Sequence, residues 1–104
     1  DESTLVFKVM GKMFLLTPLD EPELKFNVKC DPERSVELRA KHPCVQPGYH
    51  MNKLLWNTVV VDGSVSDEQL MQWIDHSYEQ VVNGLDKKTK SALQGLTDEQ
   101  KKRL

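Results

Sequence analysis

Leu24-Lys25-Phe26-Asn27-Val28-Lys29-Cys30-Asp31-Pro32 is the stretch that decides the fold. Leu24, Phe26, Val28 and Cys30 make one face of it, and Lys25, Asn27 and Lys29 make the other. A period of two, with apolar and polar residues sorted to opposite sides, predicts a strand with one dry face. Asp31-Pro32 then breaks that period. Aspartate caps free helical amides and proline suits the first helical position, so a helix is expected from here to about Lys41. His42-Pro43 ends it, because proline disfavours a helical conformation in the residue before it.

Working back from Leu24, Pro18-Leu19-Asp20-Glu21-Pro22 reads as a loop, since its prolines cannot donate to a ladder. Before it lie two strands, the second over Lys12 to Thr17. In the first, Leu5, Phe7 and Val9 point one way and Val6, Lys8 and Met10 the other. Met10-Gly11-Lys12 joins them as a tight turn, with Gly11 free to take a positive φ. The first three strands thus form an antiparallel meander. Working forward, Pro43 to Lys53 has no clear period, and Leu55 to Val61 reads as a further strand closed by Asp62-Gly63-Ser64.

The main helix is expected to start at Ser66, where Ser66-Asp67-Glu68-Gln69 has the form of a capping box. Leu70, Ile74, Ser77, Tyr78, Val81 and Leu85 recur at helical spacing, widened by Met71, Trp73 and Val82, so this face should cover the dry side of the sheet. Asn83-Gly84 is expected to end it as a left-handed cap. A short polar helix over Lys87 to Gln94 follows, and Thr97-Asp98-Glu99-Gln100 offers a second capping box. The expected fold class is therefore α+β: two layers, an antiparallel sheet packed on one side by helices. Residues 1–85 form the domain, and 86–104 form a polar, mildly basic helical tail. One main helix covers a sheet of four or more strands only in part, and the chain starts at Asp1 almost directly on a strand. The core is expected to be incomplete at that end.

Composition narrows the function. At 104 residues, 38% hydrophobic and 29% charged, the chain suits one soluble domain. No apolar run is long enough to span a bilayer, and Asp1-Glu2-Ser3-Thr4 lacks the basic and apolar start of a signal peptide. The net charge of −2 excludes nucleic-acid binding through overall charge, so any such binding needs basic residues sorted to one face. Cys30 and Cys44 are expected to be reduced thiols in a cytoplasmic protein. With His42 they offer three ligands at a spacing that matches no common zinc pattern, so neither metal nor cofactor is expected. His50 has no nucleophile or carboxylate at a recognisable motif spacing, and no catalytic residue or enzymatic activity is expected. Tyr49 is expected to staple its loop into the core, with Asn52 bonding local backbone.

Several segments carry a resemblance. Val6-Phe7-Lys8-Val9 precedes Gly11-Lys12-Met13-Phe14, and Asn27-Val28-Lys29-Cys30-Asp31-Pro32-Glu33 follows. Pro47-Gly48-Tyr49-His50-Met51-Asn52-Lys53 is the most specific, ahead of Trp56-Asn57-Thr58-Val59, Asp62-Gly63 and Ile74-Asp75-His76-Ser77-Tyr78-Glu79-Gln80-Val81-Val82. In this order they resemble the MmcQ/YjbR family of small bacterial proteins over most of residues 4–90. The resemblance implies a fold similar to the frataxin homologue CyaY, usually with a helix before the first strand, and DNA binding of "double wing" type. Leu54-Leu55 departs from the pattern, where a basic residue and a histidine are expected before the tryptophan.

Resemblance and patterning together place a DNA-binding surface on the polar sheet face. Lys8, Lys25, Asn27 and Lys29 lie on it, Lys12 at the adjacent turn, and His50, Asn52, Lys53 and Trp56 along its border. Lysines neutralise phosphates, while an amide and an aromatic ring meet bases. Binding is expected to be weak and salt-sensitive, and Glu at positions 25 and 29 should abolish it. The competing expectation is a protein-interaction module, in which the same face meets an acidic partner or a second copy of the chain. No membrane partner is expected.

Overall fold

The computed structural model describes residues 3–96. In chain order the elements are β1 (Thr4–Val9), β2 (Lys12–Pro18), β3 (Lys25–Lys29), α1 (Pro32–Lys41), β4 (Val45–Pro47), β5 (Trp56–Val60), α2 (Asp67–Asn83) and α3 (Lys87–Gln94). The strands form one sheet in the order β1-β2-β3-β5-β4, with every neighbouring pair antiparallel. The short edge strand β4 falls in the stretch without clear period: three residues ending in a proline are too few to show one.

Local chemistry explains most element boundaries. Met10 and Gly11 both take positive φ, 48° and 81°, as the two central residues of a tight hairpin turn require. Asp31 caps α1 by accepting from the Arg34 N–H at 3.1 Å, and Asp86 caps α3 through the Thr89 N–H at 2.7 Å. Two expected caps differ in detail. Ser66 accepts from the Gln69 N–H at 3.1 Å, but the Gln69 amide turns to Gln72 at 3.2 Å instead of closing a capping box. Gly84 stays right-handed at φ −86°, because its N–H continues to bond the carbonyls of the last helical turn.

All three helices pack on one side of the sheet. Phe26, Val28, Val45 and Val59 meet Leu70 and Trp73 of α2, with Leu38 of α1 at the margin. Val9 is fully buried against Val81 of α2 and Leu93 of α3, so the polar segment from Asp86 sends one leucine into the core. The capping box at 97–100 lies outside the described residues. Three apolar residues read as facing inward remain out: Leu24 is 62% exposed just before its strand begins, Met71 is 54% exposed, and Tyr49 is 60% exposed. On β1, Leu5 and Phe7 are 45% and 44% exposed.

The β2–β3 seam is short. Leu15 pairs with Val28 and Leu16 with Asn27, and side chains take over on either side of that register. At one end the Thr17 hydroxyl donates to the Lys25 carbonyl at 2.8 Å. At the other, the fully buried Ser77 of α2 donates to the Phe14 carbonyl at 2.6 Å and accepts from the Lys29 N–H at 2.7 Å. A serine hydroxyl thus stands where a direct ladder bond would run, and the strands part beyond it.

Candidate functional site

The helix-free face of the sheet is continuous across all five strands. Val6, Leu16, Asn27, Thr58 and Gln46 are successive cross-strand partners and form one row on it. Alternation along β3 puts Lys25, Asn27 and Lys29 on this face, opposite the buried Phe26 and Val28.

The structure divides the candidate residues into two groups. Lys12, Lys29 and Trp56 line a concavity of about 330 Å³ where β2 and β3 part, and Leu85 of the segment after α2 closes it from behind. Lys8 stands opposite Met13, which lines the same concavity. Among the described residues, Lys8, Lys12 and Lys29 form no ion pair, although Lys12 is near enough to Asp86, the cap of α3, to help hold that carboxyl below its ordinary pKa after the Thr89 hydrogen bonds. Lys12 and Lys29 thus share this concavity with the Trp56 indole.

The second group surrounds a larger concavity of about 660 Å³, with Lys25, Asn27 and His50 in its lining. Here the charge is tied. Lys25 pairs with Glu21 at 2.5 Å, and that hydrogen bond holds the ammonium above its ordinary pKa. Its Nζ also sits 5.9 Å from the centre of the Tyr49 ring. Tyr49 donates its N–H to the Thr58 hydroxyl at 3.0 Å, and Thr58 donates to the Asn27 carbonyl oxygen. That anchor on the open face is why Tyr49 lies outside the core. His50 follows at φ 60°, a left-handed conformation unusual for a non-glycine residue, and its ring centre is 3.9 Å from that of Tyr49.

Asn52 and Lys53 shape the loop. The Asn52 side chain accepts from the Leu54 and Leu55 N–H groups at 2.9 and 3.2 Å, the local backbone bonding expected of it. Lys53 donates from Nζ to the Gly48 carbonyl at 3.1 Å, which draws its charge back over the loop. Patterning did not reveal what holds this loop to the fold. Asn57, 1% exposed, accepts from Arg39 Nε at 2.8 Å and donates to Ser35 at 3.1 Å. Arg39 also donates to the Lys53 and Trp56 carbonyls at 2.5 and 3.2 Å, so α1 clamps the turn before β5. A buried asparagine within an apolar strand was the available signal.

The cysteines belong to the core. Both are free and buried, and burial pushes the Cys30 thiol above its ordinary pKa. Among the described residues no group of three or more His, Cys, Asp or Glu side chains is placed to hold a metal, and no helix is long and apolar enough to cross a membrane.

Comparison with known proteins places this architecture. The YjbR family model matches residues 1–80. YbdF of Escherichia coli O157:H7 is 37% identical over 83 residues, covering 80% of this chain and 68% of that protein. YjbR of Escherichia coli strain K12 is 36% identical over 86 residues, covering 83% of this chain and 73% of that protein. A crystal structure of a Deinococcus radiodurans protein with a DUF419 domain superposes with a TM-score of 0.82 at 42% identity, over 92% of this chain and 73% of that one. A Pseudomonas syringae protein gives 0.66 at 27% identity, over 75% of this chain and 76% of that one. Fold, sequence and family model agree that the chain belongs to the YjbR family.

Proposed function

We propose that this protein is a non-enzymatic, cytoplasmic nucleic-acid-binding module, which holds phosphates with Lys8 and Lys29 on its open sheet face and with Lys12 at the hairpin beside them. The observation that carries the reading is that Lys12 and Lys29 share a concavity with Trp56 at the parted ends of β2 and β3, with Lys8 across β1–β2 from its rim and no ion pair to any of the three among the described residues. Like charges brought together repel, and a polyanion relieves that repulsion while its counterions are released. The DNA binding implied by the MmcQ/YjbR resemblance points the same way, and free cysteines suit a reducing compartment.

The ion pair with Glu21 moves the decisive substitutions from Lys25 to Lys12. The double variant K12E/K29E is expected to stay folded, because Lys12 is exposed and Lys29 half-exposed, and to lose binding to a fluorescent 20-base-pair duplex. K25A is expected to weaken binding less than K12E/K29E, since the Lys25 charge is shared with Glu21. Unchanged affinity in a folded K12E/K29E protein contradicts the proposal. A dimer in solution that hides this face would instead favour the protein-interaction reading.

A further inference from the structure

The open face is polarised. Lysines stand free at one end, whereas the other end, around Asn27, carries Asp20 and Glu21 on the rim of the larger concavity and holds Lys25 in an ion pair. Carboxylates there repel phosphate, yet the concavity of about 660 Å³ falls within the range of small-ligand sites. Its polar groups are set in advance. The Thr58 hydroxyl donates to the Asn27 carbonyl oxygen while accepting from the Tyr49 N–H, which fixes the amide's orientation. The Asn27 amide nitrogen is left with no partner among the described residues. Beside it, the exposed Tyr49 ring is flanked by the His50 ring at 3.9 Å and by Lys25 Nζ at 5.9 Å from its centre, and the Met51 N–H closes the loop onto the Gly48 carbonyl at 3.3 Å. Val6 and Leu16 supply an apolar floor.

From this arrangement we infer that the Asn27–Tyr49 concavity seats one unpaired nucleobase, stacked on Tyr49 with an acceptor on its edge bonded by the Asn27 amide. The inference rests on the lysine end of the face holding phosphate. Asn27 and Lys29 are two residues apart on β3, about 7 Å along the strand. A neutral, hydrogen-bonding ring at one end and an anion at the other is the chemistry of a nucleotide. A base within a duplex has its edge paired and its faces stacked, so the seat selects single-stranded nucleic acid.

The test uses a fluorescent single-stranded 15-mer and the matching duplex with wild type, Y49A and K12E/K29E, all checked for folding by circular dichroism. Wild type should bind the single strand more tightly. Y49A, which removes an exposed ring, should weaken single-strand binding about tenfold and leave duplex binding unchanged, as expected for loss of one base–aromatic stack. K12E/K29E should weaken both. Equal affinity for the two probes, with Y49A binding both like wild type, overturns the seat and leaves the lysine reading standing. If neither probe binds, the lysine reading fails, and a titration of labelled protein with thymidine and adenosine monophosphates decides the seat by itself. Amide shifts confined to the Asn27 and Tyr49 surroundings sustain it, and their absence overturns it.

Discussion

Ser77 does more than any other single side chain to shape the open face, although it lies on the opposite side of the sheet. Its hydroxyl satisfies the Phe14 carbonyl and the Lys29 N–H together. Replacing it with alanine leaves both groups without a partner in a buried setting, at an expected cost of about 2 kcal/mol in urea unfolding. A cost below about 0.5 kcal/mol would mean that the strands close on each other unaided. His76, one residue away, ties the same helix to α1 by accepting from the Asp31 N–H at 3.2 Å. That bond needs a neutral ring nitrogen. Burial and nearby Arg34 hold the imidazole below its ordinary pKa, against the smaller opposing pulls of Glu79 and Asp31. The unfolded chain therefore takes up the proton first. The stabilisation is complete above pH about 6.5 and is lost as pH falls through that value toward the lower folded pKa. Thermal unfolding should show a lower midpoint at pH 5.5 than at 7.5, and H76Q should flatten the difference; equal slopes in both proteins would remove His76 from the account.

Among the elements, those with a local cause were legible in the sequence. β3 shows its alternation in five residues, and Asp31 and Ser66 cap the helices that follow them. What escaped depends on distant partners. β4 exists because Val45, Gln46 and Pro47 pair with Val59, Thr58 and Asn57, and three residues carry no period of their own. Tyr49 turns outward because its N–H reaches Thr58 across the loop, a bond invisible in the alternation of residues 49–52. The lysines show the same division. Their side of β3 could be read from spacing, but the capture of Lys25 by Glu21 and of Lys53 by the Gly48 carbonyl required the fold. Gly48 marks where β4 and the loop press on β5: a Cβ there would lie 2.9 Å from the Trp56 Cβ and 3.0 Å from its carbonyl oxygen. G48A should therefore cost about 1–3 kcal/mol through overpacking and shift the Tyr49 and His50 amide resonances. Wild-type stability with unmoved resonances would show that the loop adapts freely.

Over the whole molecule, a net charge of −2 coexists with a basic patch because opposite charges are sorted by position. The helices and the β2–β3 loop carry the carboxylates that cap, pair or face solvent, while, among the described residues, Lys8 and Lys29 stand without an ion pair on the open face and Lys12 flanks them at the β1–β2 hairpin. The helix layer sets the dry side of the sheet and, through Ser77, parts the strands on the other. Family membership fits this architecture, and the lysine end of the open face is the part that bears on function. The measurement that tests it most directly is fluorescence anisotropy of wild-type protein with duplex DNA between 50 and 200 mM salt. Three phosphate contacts predict a log–log slope of about −2.7, or an affinity loss of about 40-fold across that range. A slope near zero, or no binding at the lowest salt, would contradict phosphate recognition by this face.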